Sequence, residues 1–200
     1  VIPAADIRAR LAQPWRHGEH ADFTGMTCDG LLDLRDMALA GVDFTGAHFP
    51  NGIDARGACF NGLSWFGEVS FGGPARFDNA MFTNDARFEG ADFTAVAAFT
   101  GAIFCGIGRF DAAEFADGAD FARTTCYGNF SLQSVTARGA VSFRDGEWLG
   151  GLWCDDARLP EDIDLAETQV HGRLWLKGAL RGNAALQAGA FGMSFGYTYI

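Results

Sequence analysis

The sequence predicts an all-β fold, a β-helical solenoid with a short N-terminal helical cap, and three observations carry that prediction. From Phe77, the residues Phe82, Phe88, Phe93, Phe99, Phe104, Phe110, Phe115 and Phe121 follow at alternating steps of five and six, an eleven-residue repeat. The same register runs back through Phe71, Phe66, Phe60, Ala55, Phe49 and Phe44. It runs forward through Cys126, Leu132, Ala137, Phe143, Trp148, Cys154, Leu159, Leu165 and Val170 to Leu176. Second, the residue two before each of these is small in nearly every unit, as at Ala75, Ala80, Ala86, Ala91 and Ala97. Third, 19 Phe and only 20% charged residues make the chain too apolar for disorder. Self-similarity at a short fixed period is the mark of stacked coils.

Residues 1–31 are expected to form the cap region. Pro3 to Gln13 reads as a short amphipathic helix with Ile2, Ile7 and Leu11 on one side, suited to covering an open coil. Residues 32–181 form the solenoid. Residues two apart in an extended segment share a side, so each unit sends one large and one small side chain inward. The residue between them, such as Arg76, Met81, Arg87 or Asp92, points out. Two units make a coil of about 22 residues, with the extra residue of each six-residue step absorbed at opposite corners. Asn84-Asp85, Ala95-Val96 and Asp117-Gly118 are the candidates, since Gly, Asn and Asp tolerate unusual backbone angles. About seven coils at ~4.8 Å spacing give a rod of ~30–35 Å. From about residue 128 the inward pairs become large, as in Phe130/Leu132, Val141/Phe143 and Leu174/Leu176, which predicts a wider cross-section and more regular strands. Residues 182–200 carry no charge and finish with Phe195, Tyr197, Tyr199 and Ile200, as a C-terminal cap or a contact tail.

The spacing Ala75-Arg76-Phe77, Ala80-Met81-Phe82, Ala86-Arg87-Phe88, Ala91-Asp92-Phe93 resembles the pentapeptide-repeat proteins, whose consensus is A-(D/N)-(L/F)-x-x, over about residues 32–181. The resemblance implies a right-handed, quadrilateral β-helix with one five-residue unit per side. This chain departs from it by alternating five with six.

The formal charge is −10, from 25 acidic and 15 basic residues, all but Lys177 of the latter being Arg. That balance argues against direct binding to nucleic acid or anionic membrane, where a basic patch displaces counterions. Neither a membrane span nor a secretory signal is visible. Five cysteines with no C-x-x-C pair make a zinc site or a disulfide framework unexpected and suit a reducing, cytoplasmic compartment. His17, His20, His48 and His171 are dispersed, so no metal or cofactor is expected.

If the coil has 22 residues, outward positions 22 apart stack into columns. One runs Trp65, Arg87, Arg109, Ser131, Trp153, Trp175, and a second runs Cys59, Met81, Ile103, Thr125. A third runs Ser70, Asp92, Glu114, Thr136, Arg158, and the fourth runs Asp54, Arg76, Ala98, Asp120, Ser142, Asp164. Met81 and Ile103 offer an apolar stripe for pairing with a second copy, Trp153 and Trp175 a stacking platform, and Phe195, Tyr197 and Tyr199 a contact tail. The expectation is a non-catalytic interaction or scaffold module with a protein partner, self-associating. The resemblance adds an alternative, an acidic DNA mimic that inhibits a type II topoisomerase or another DNA-binding enzyme. A second alternative is a carbohydrate-binding β-helix using the Trp column.

Overall fold

A coil that bends four times leaves room only for short strands, and most here are two residues long. The computed structural model describes residues 1–14, 16 and 18–200. In one coil the strands Ser64–Trp65, Ser70–Phe71, Ala75–Arg76 and Met81–Phe82 lie on four successive sides, faces I, II, III and IV. Ala86–Arg87 then returns to face I, parallel to Ser64–Trp65. The partners Trp65↔Arg87, Ser70↔Asp92, Arg76↔Ala98 and Met81↔Ile103 are each 22 residues apart, as the repeat predicts.

Face I stacks nine strands, faces II and IV eight each, and face III six. The rod is therefore taller than the seven coils expected, about 38 Å at the usual strand spacing. Its ladders begin at His20–Asp22, where Phe23 already points inward and stacks on Phe44, and end at Thr198–Tyr199. At the N-terminus Ile2–Pro3 pairs with Cys28–Asp29, and helix α1, Ala4–Leu11, buries Ile7 and Leu11 against the first coil. Arg10 lies over the Phe23 ring at 4.4 Å. His17, one of the four dispersed histidines, lies outside the described residues.

The core is a set of phenylalanine columns. Rings repeat one coil apart in near-parallel stacks: Phe66–Phe88 at 4.6 Å and 6°, Phe88–Phe110 at 4.7 Å and 2°, Phe77–Phe99 at 5.0 Å and 7°. Between columns they meet edge to face, as Phe77 does Phe88 at 5.6 Å and 81°. Both geometries satisfy the ring quadrupole, and each buried ring contributes about 1.5–3 kcal/mol from removal of its surface from water.

Two kinds of corner alternate. At the five-residue steps the chain makes a tight turn, such as Phe77-Asp78-Asn79-Ala80, closed by the Ala80 N–H donating to the Phe77 carbonyl at 3.0 Å. A type II turn needs a left-handed third residue, and Asn79 has φ 55°. Gly90, Gly101, Ala112, Arg123, Ser134 and Asp145 repeat this at successive tight corners. Left-handed residues thus concentrate at the tight corners, whereas Asn84-Asp85 and Ala95-Val96, at the six-residue corners, absorb the extra residue without positive φ. Other six-residue corners use a left-handed glycine, at Gly52, Gly118, Gly139 and Gly151, with φ of 81°, 98°, 71° and 116°. Outward aspartates brace the tight corners on face III. The Asp54 carboxylate accepts the Arg56 guanidinium at 2.7 and 2.8 Å, and Asp120 and Asp164 accept the backbone N–H two residues on.

The change of vocabulary near residue 128 has a visible hinge. Phe130 stands where the coils below hold Gly108, Ala86 and Ser64, and Gly108 makes room for it, since an added Cβ there would meet the Phe130 ring at 2.7 Å. Cys126 is small where a Phe would otherwise stack, and Phe130 packs across that space against Phe104 at 5.5 Å and Trp148 at 4.5 Å. On face I, Gly151–Trp153 and Arg173–Trp175 are three residues long, but so are His20–Asp22 and Gly41–Asp43 near the other end, so longer strands are not confined to these coils. The predicted regularisation fails on face III, where only an isolated bridge joins Ser142 to Asp164. Pro160 sits at the corner before that bridge and lacks the N–H that Thr94, Ala116 and Arg138 donate from the same position on lower coils.

Phe88→Ala is expected to cost roughly 3–5 kcal/mol in urea unfolding. Gly108→Ala is expected to cost about 1–3 kcal/mol by overpacking, with Phe130→Leu added to it restoring part of the loss; no recovery would show that the ring is not the obstacle. Hydrogen bonding to Arg35 holds the Asp33 carboxyl down to about 2, and Arg56 lowers Asp54 in the same way. Unfolding returns both to about 3.9, so their contribution is present above about pH 4 and is lost as pH falls toward 2. The double variant Arg35→Ala/Arg56→Ala should therefore lose less melting temperature between pH 4 and pH 2 than the parent does.

Candidate functional site

With the inward register fixed, the outward and corner side chains carry the chemistry the rod presents, and all four columns read from the sequence are in register. On face I, Trp65, Arg87, Arg109, Ser131, Trp153 and Trp175 are successive partners. Arg87 over Arg109 puts like charges one coil apart, and the adjoining corner between faces I and II supplies the opposite sign. Arg109 lies 3.8 Å from Glu89 and 3.5 Å from Asp111, ion pairs too long to be good hydrogen bonds. Its Nε is buried and finds no hydrogen-bond acceptor among the described residues. Ser131 is 1% exposed despite its outward position, and its hydroxyl donates to Asp111. One coil on, the Gln133 amide donates to Asp155 at 2.9 Å.

The tryptophans are half-buried, and the indole N–H groups of Trp65, Trp153 and Trp175 are closed off from solvent without a partner among the described residues. Trp175 stacks on Tyr199 of the tail at 3.9 Å and 10°. The expected Trp153–Trp175 platform is thus extended at its far end by a tyrosine. Between the two indoles and the corner lies a hollow of about 430 Å³, lined by Arg109, Gln133, Asp155, Asp156 and Lys177. A smaller one of about 290 Å³ lies beside Trp65, Arg87 and Glu89.

Face IV carries Met81, 37% exposed, and Ile103, half-buried. The corner leading from face IV to face I extends this stripe with residues the sequence reading did not single out. Cys105, Tyr127, Leu149 and His171 occupy its first position on successive coils, and Phe195 continues it. Tyr127 and Phe195 are 58% and 60% exposed, and His171 stacks on Phe195 at 4.8 Å. Alongside runs a column of glycines, Gly106, Gly128, Gly150 and Gly172, where an added Cβ would run into the backbone of the coil beneath. That crowding keeps the furrow beside the apolar ridge empty of side chains. Tyr197, 79% exposed, follows Phe195 and the furrow on the last coil. The proposed contact residues therefore divide: Met81, Ile103, Phe195 and Tyr197 belong to face IV and its corner, and Tyr199 belongs with the tryptophans on face I.

Charge is distributed over all sides. Asp92 stacks on Glu114 on face II, near Glu68, Glu89 and Asp111 at the adjoining corner. Arg76 stands on face III, Arg87 and Arg109 on face I, and Arg138 and Arg158 continue along face II and its corner. Cys59 is half-buried, Cys105 exposed, and all five thiols are free; burial pushes Cys126 and Cys154 up to about 12. Among the described residues no three His, Cys, Asp or Glu side chains are grouped to hold a metal, and no helix is long and apolar enough to cross a membrane. Compared with family models and with curated proteins, the chain matches none, so its likeness to the pentapeptide-repeat proteins rests on the A-x-F spacing alone.

Proposed function

We propose that the protein is a non-catalytic scaffold of the pentapeptide-repeat type, cytoplasmic given its five free thiols, that associates with a second copy of itself. The observation that carries this reading is the apolar ridge of Met81, Ile103, Tyr127, Leu149 and Phe195 beside the glycine furrow. An exposed apolar strip of this kind, with the His171 ring stacked on Phe195 between Leu149 and the tail, marks an interaction surface. Ridge and furrow share the same coil spacing, so a two-fold axis across the rod sets the ridge of one copy into the furrow of the other. Closed two-fold pairs are the commonest assemblies.

The non-catalytic part of the reading rests on shape. Catalysis needs titratable groups converging on a concave, partly dry site, whereas most outward columns diverge on the faces of a rod and the hollows on face I lie open at its surface. The acidic DNA mimic is disfavoured by charge, because an unbroken negative side is required to imitate duplex DNA and arginines interrupt faces I, II and III.

Sedimentation of the parent chain over a concentration series is expected to give a dimer. Tyr127→Asp and Leu149→Asp, both on the ridge, should give folded monomers whose melting temperature no longer depends on concentration. A parent chain that stays monomeric up to about 100 µM, well above the range of a useful dimer, would remove self-association from the proposal.

A further inference from the structure

We propose that the groove beside Trp153 and Trp175 on face I binds a neutral oligosaccharide laid along the rod. This goes beyond the scaffold reading and uses a different surface, about a quarter-turn of the coil from the glycine furrow.

The hollow of about 430 Å³ falls in the size range of small-molecule sites. One wall is aromatic. The buried indole N–H groups of Trp153 and Trp175 have no partner among the described residues, so these rings offer carbon to the groove instead of a donor. A pyranose ring carries C–H groups on its faces and stacks on such a surface. Trp175 is held by Tyr199 against it, which fixes the wall before any ligand arrives.

The opposite wall carries planar polar groups with unused capacity. Gln133 donates one N–H to Asp155 Oδ2, leaving the amide oxygen and Asp155 Oδ1 for hydroxyl donors. At the foot of the tryptophan column the Arg109 guanidinium, 37% exposed and in ion pairs of only 3.5 and 3.8 Å, can donate from its terminal nitrogens to hydroxyl oxygens. Planar forks of this kind grip neighbouring hydroxyls two at a time, a geometry that sugars supply. Charge along the groove is balanced, Arg109 and Lys177 against Asp155 and Asp156, which selects against a polyanion.

An extended peptide fits less well. Strand addition requires an open sheet edge, and here the backbone is occupied: Leu132 N–H donates to Trp153, Cys154 to Trp175, and Leu176 to Tyr199. The groove offers side chains and no backbone rungs. From Arg109 to Trp175 it spans three coil steps, about 14 Å, enough for a short run of sugar rings. The hollow beside Trp65, Arg87 and Glu89 repeats the combination of indole, guanidinium and carboxylate on the same face.

The test is a titration of the full chain with neutral glucose, mannose and N-acetylglucosamine oligomers, an acidic uronate oligomer, and a mixed peptide library, read by tryptophan emission and by calorimetry. At least one neutral series is expected to shift the emission and release heat. Trp153→Ala should weaken that binding about tenfold or more, and Gln133→Ala about fivefold, the loss of one or two hydrogen bonds. Both variants should keep the parent's sedimentation, because neither residue lies on the apolar ridge. Silence toward every neutral oligomer at millimolar concentration would overturn the proposal. So would undiminished binding by Trp153→Ala, or binding confined to the uronate or to peptides. None of these outcomes bears on whether the chain dimerises.

Discussion

The register of the rod depends on one constraint, met through its middle coils: an aromatic ring lies over the ring one coil below. Phe88 stacks between Phe66 and Phe110, both within 5 Å, and the same holds in three further columns. A slip of one residue in an extended segment reverses which side chains face in. Here it would turn Arg87 inward and Phe88 out, so stacking penalises any register but one. The extra residue at each wide corner is part of the same constraint, because it restores the phase between four short sides and a 22-residue period. Outward columns are then obligatory, since whatever stands between two inward residues must point to solvent.

The hinge at Gly108 and Phe130 shows how much the core can change without losing that register. A glycine beneath and a cysteine beside admit one displaced ring. Beyond it both inward positions are large, and face III loses its continuous ladder at Pro160. The most exposed part of the apolar ridge and the Trp153 groove both lie beyond this hinge. The N-terminal coils, with uniform Phe–Ala packing, supply rigidity, while the C-terminal coils supply larger and more varied outer surfaces.

The legibility of the chain follows the same division. The four columns, with Trp65 over Arg87 and Met81 over Ile103, could be read because alternation within a strand is a local rule that the period then repeats. The ridge of Cys105, Tyr127, Leu149 and His171 was missed because corners have no inward–outward alternation to follow. Counting by 22 from the corner residues would have found it. Tyr199 on Trp175 was beyond that ruler, because the tail steps 24 residues from Gln169 to Met193 and folds an antiparallel pair, Leu180–Arg181 with Ala184–Ala185, on the way.

By itself, then, the sequence determined the period, the core and the order of side chains along each face, because burial of a regular apolar pattern in a stack of short parallel strands has a single consistent register. Only the tertiary structure decided which outward side chains are covered and which corners matter. Ser131 is shut in and hydrogen-bonded to Asp111, Arg109 Nε is left without an acceptor, and Tyr127 stands clear of a furrow that stacked glycines keep open. Those outcomes depend on contacts between neighbouring coils and across corners, where side-chain size and direction act together and no one-dimensional period records them.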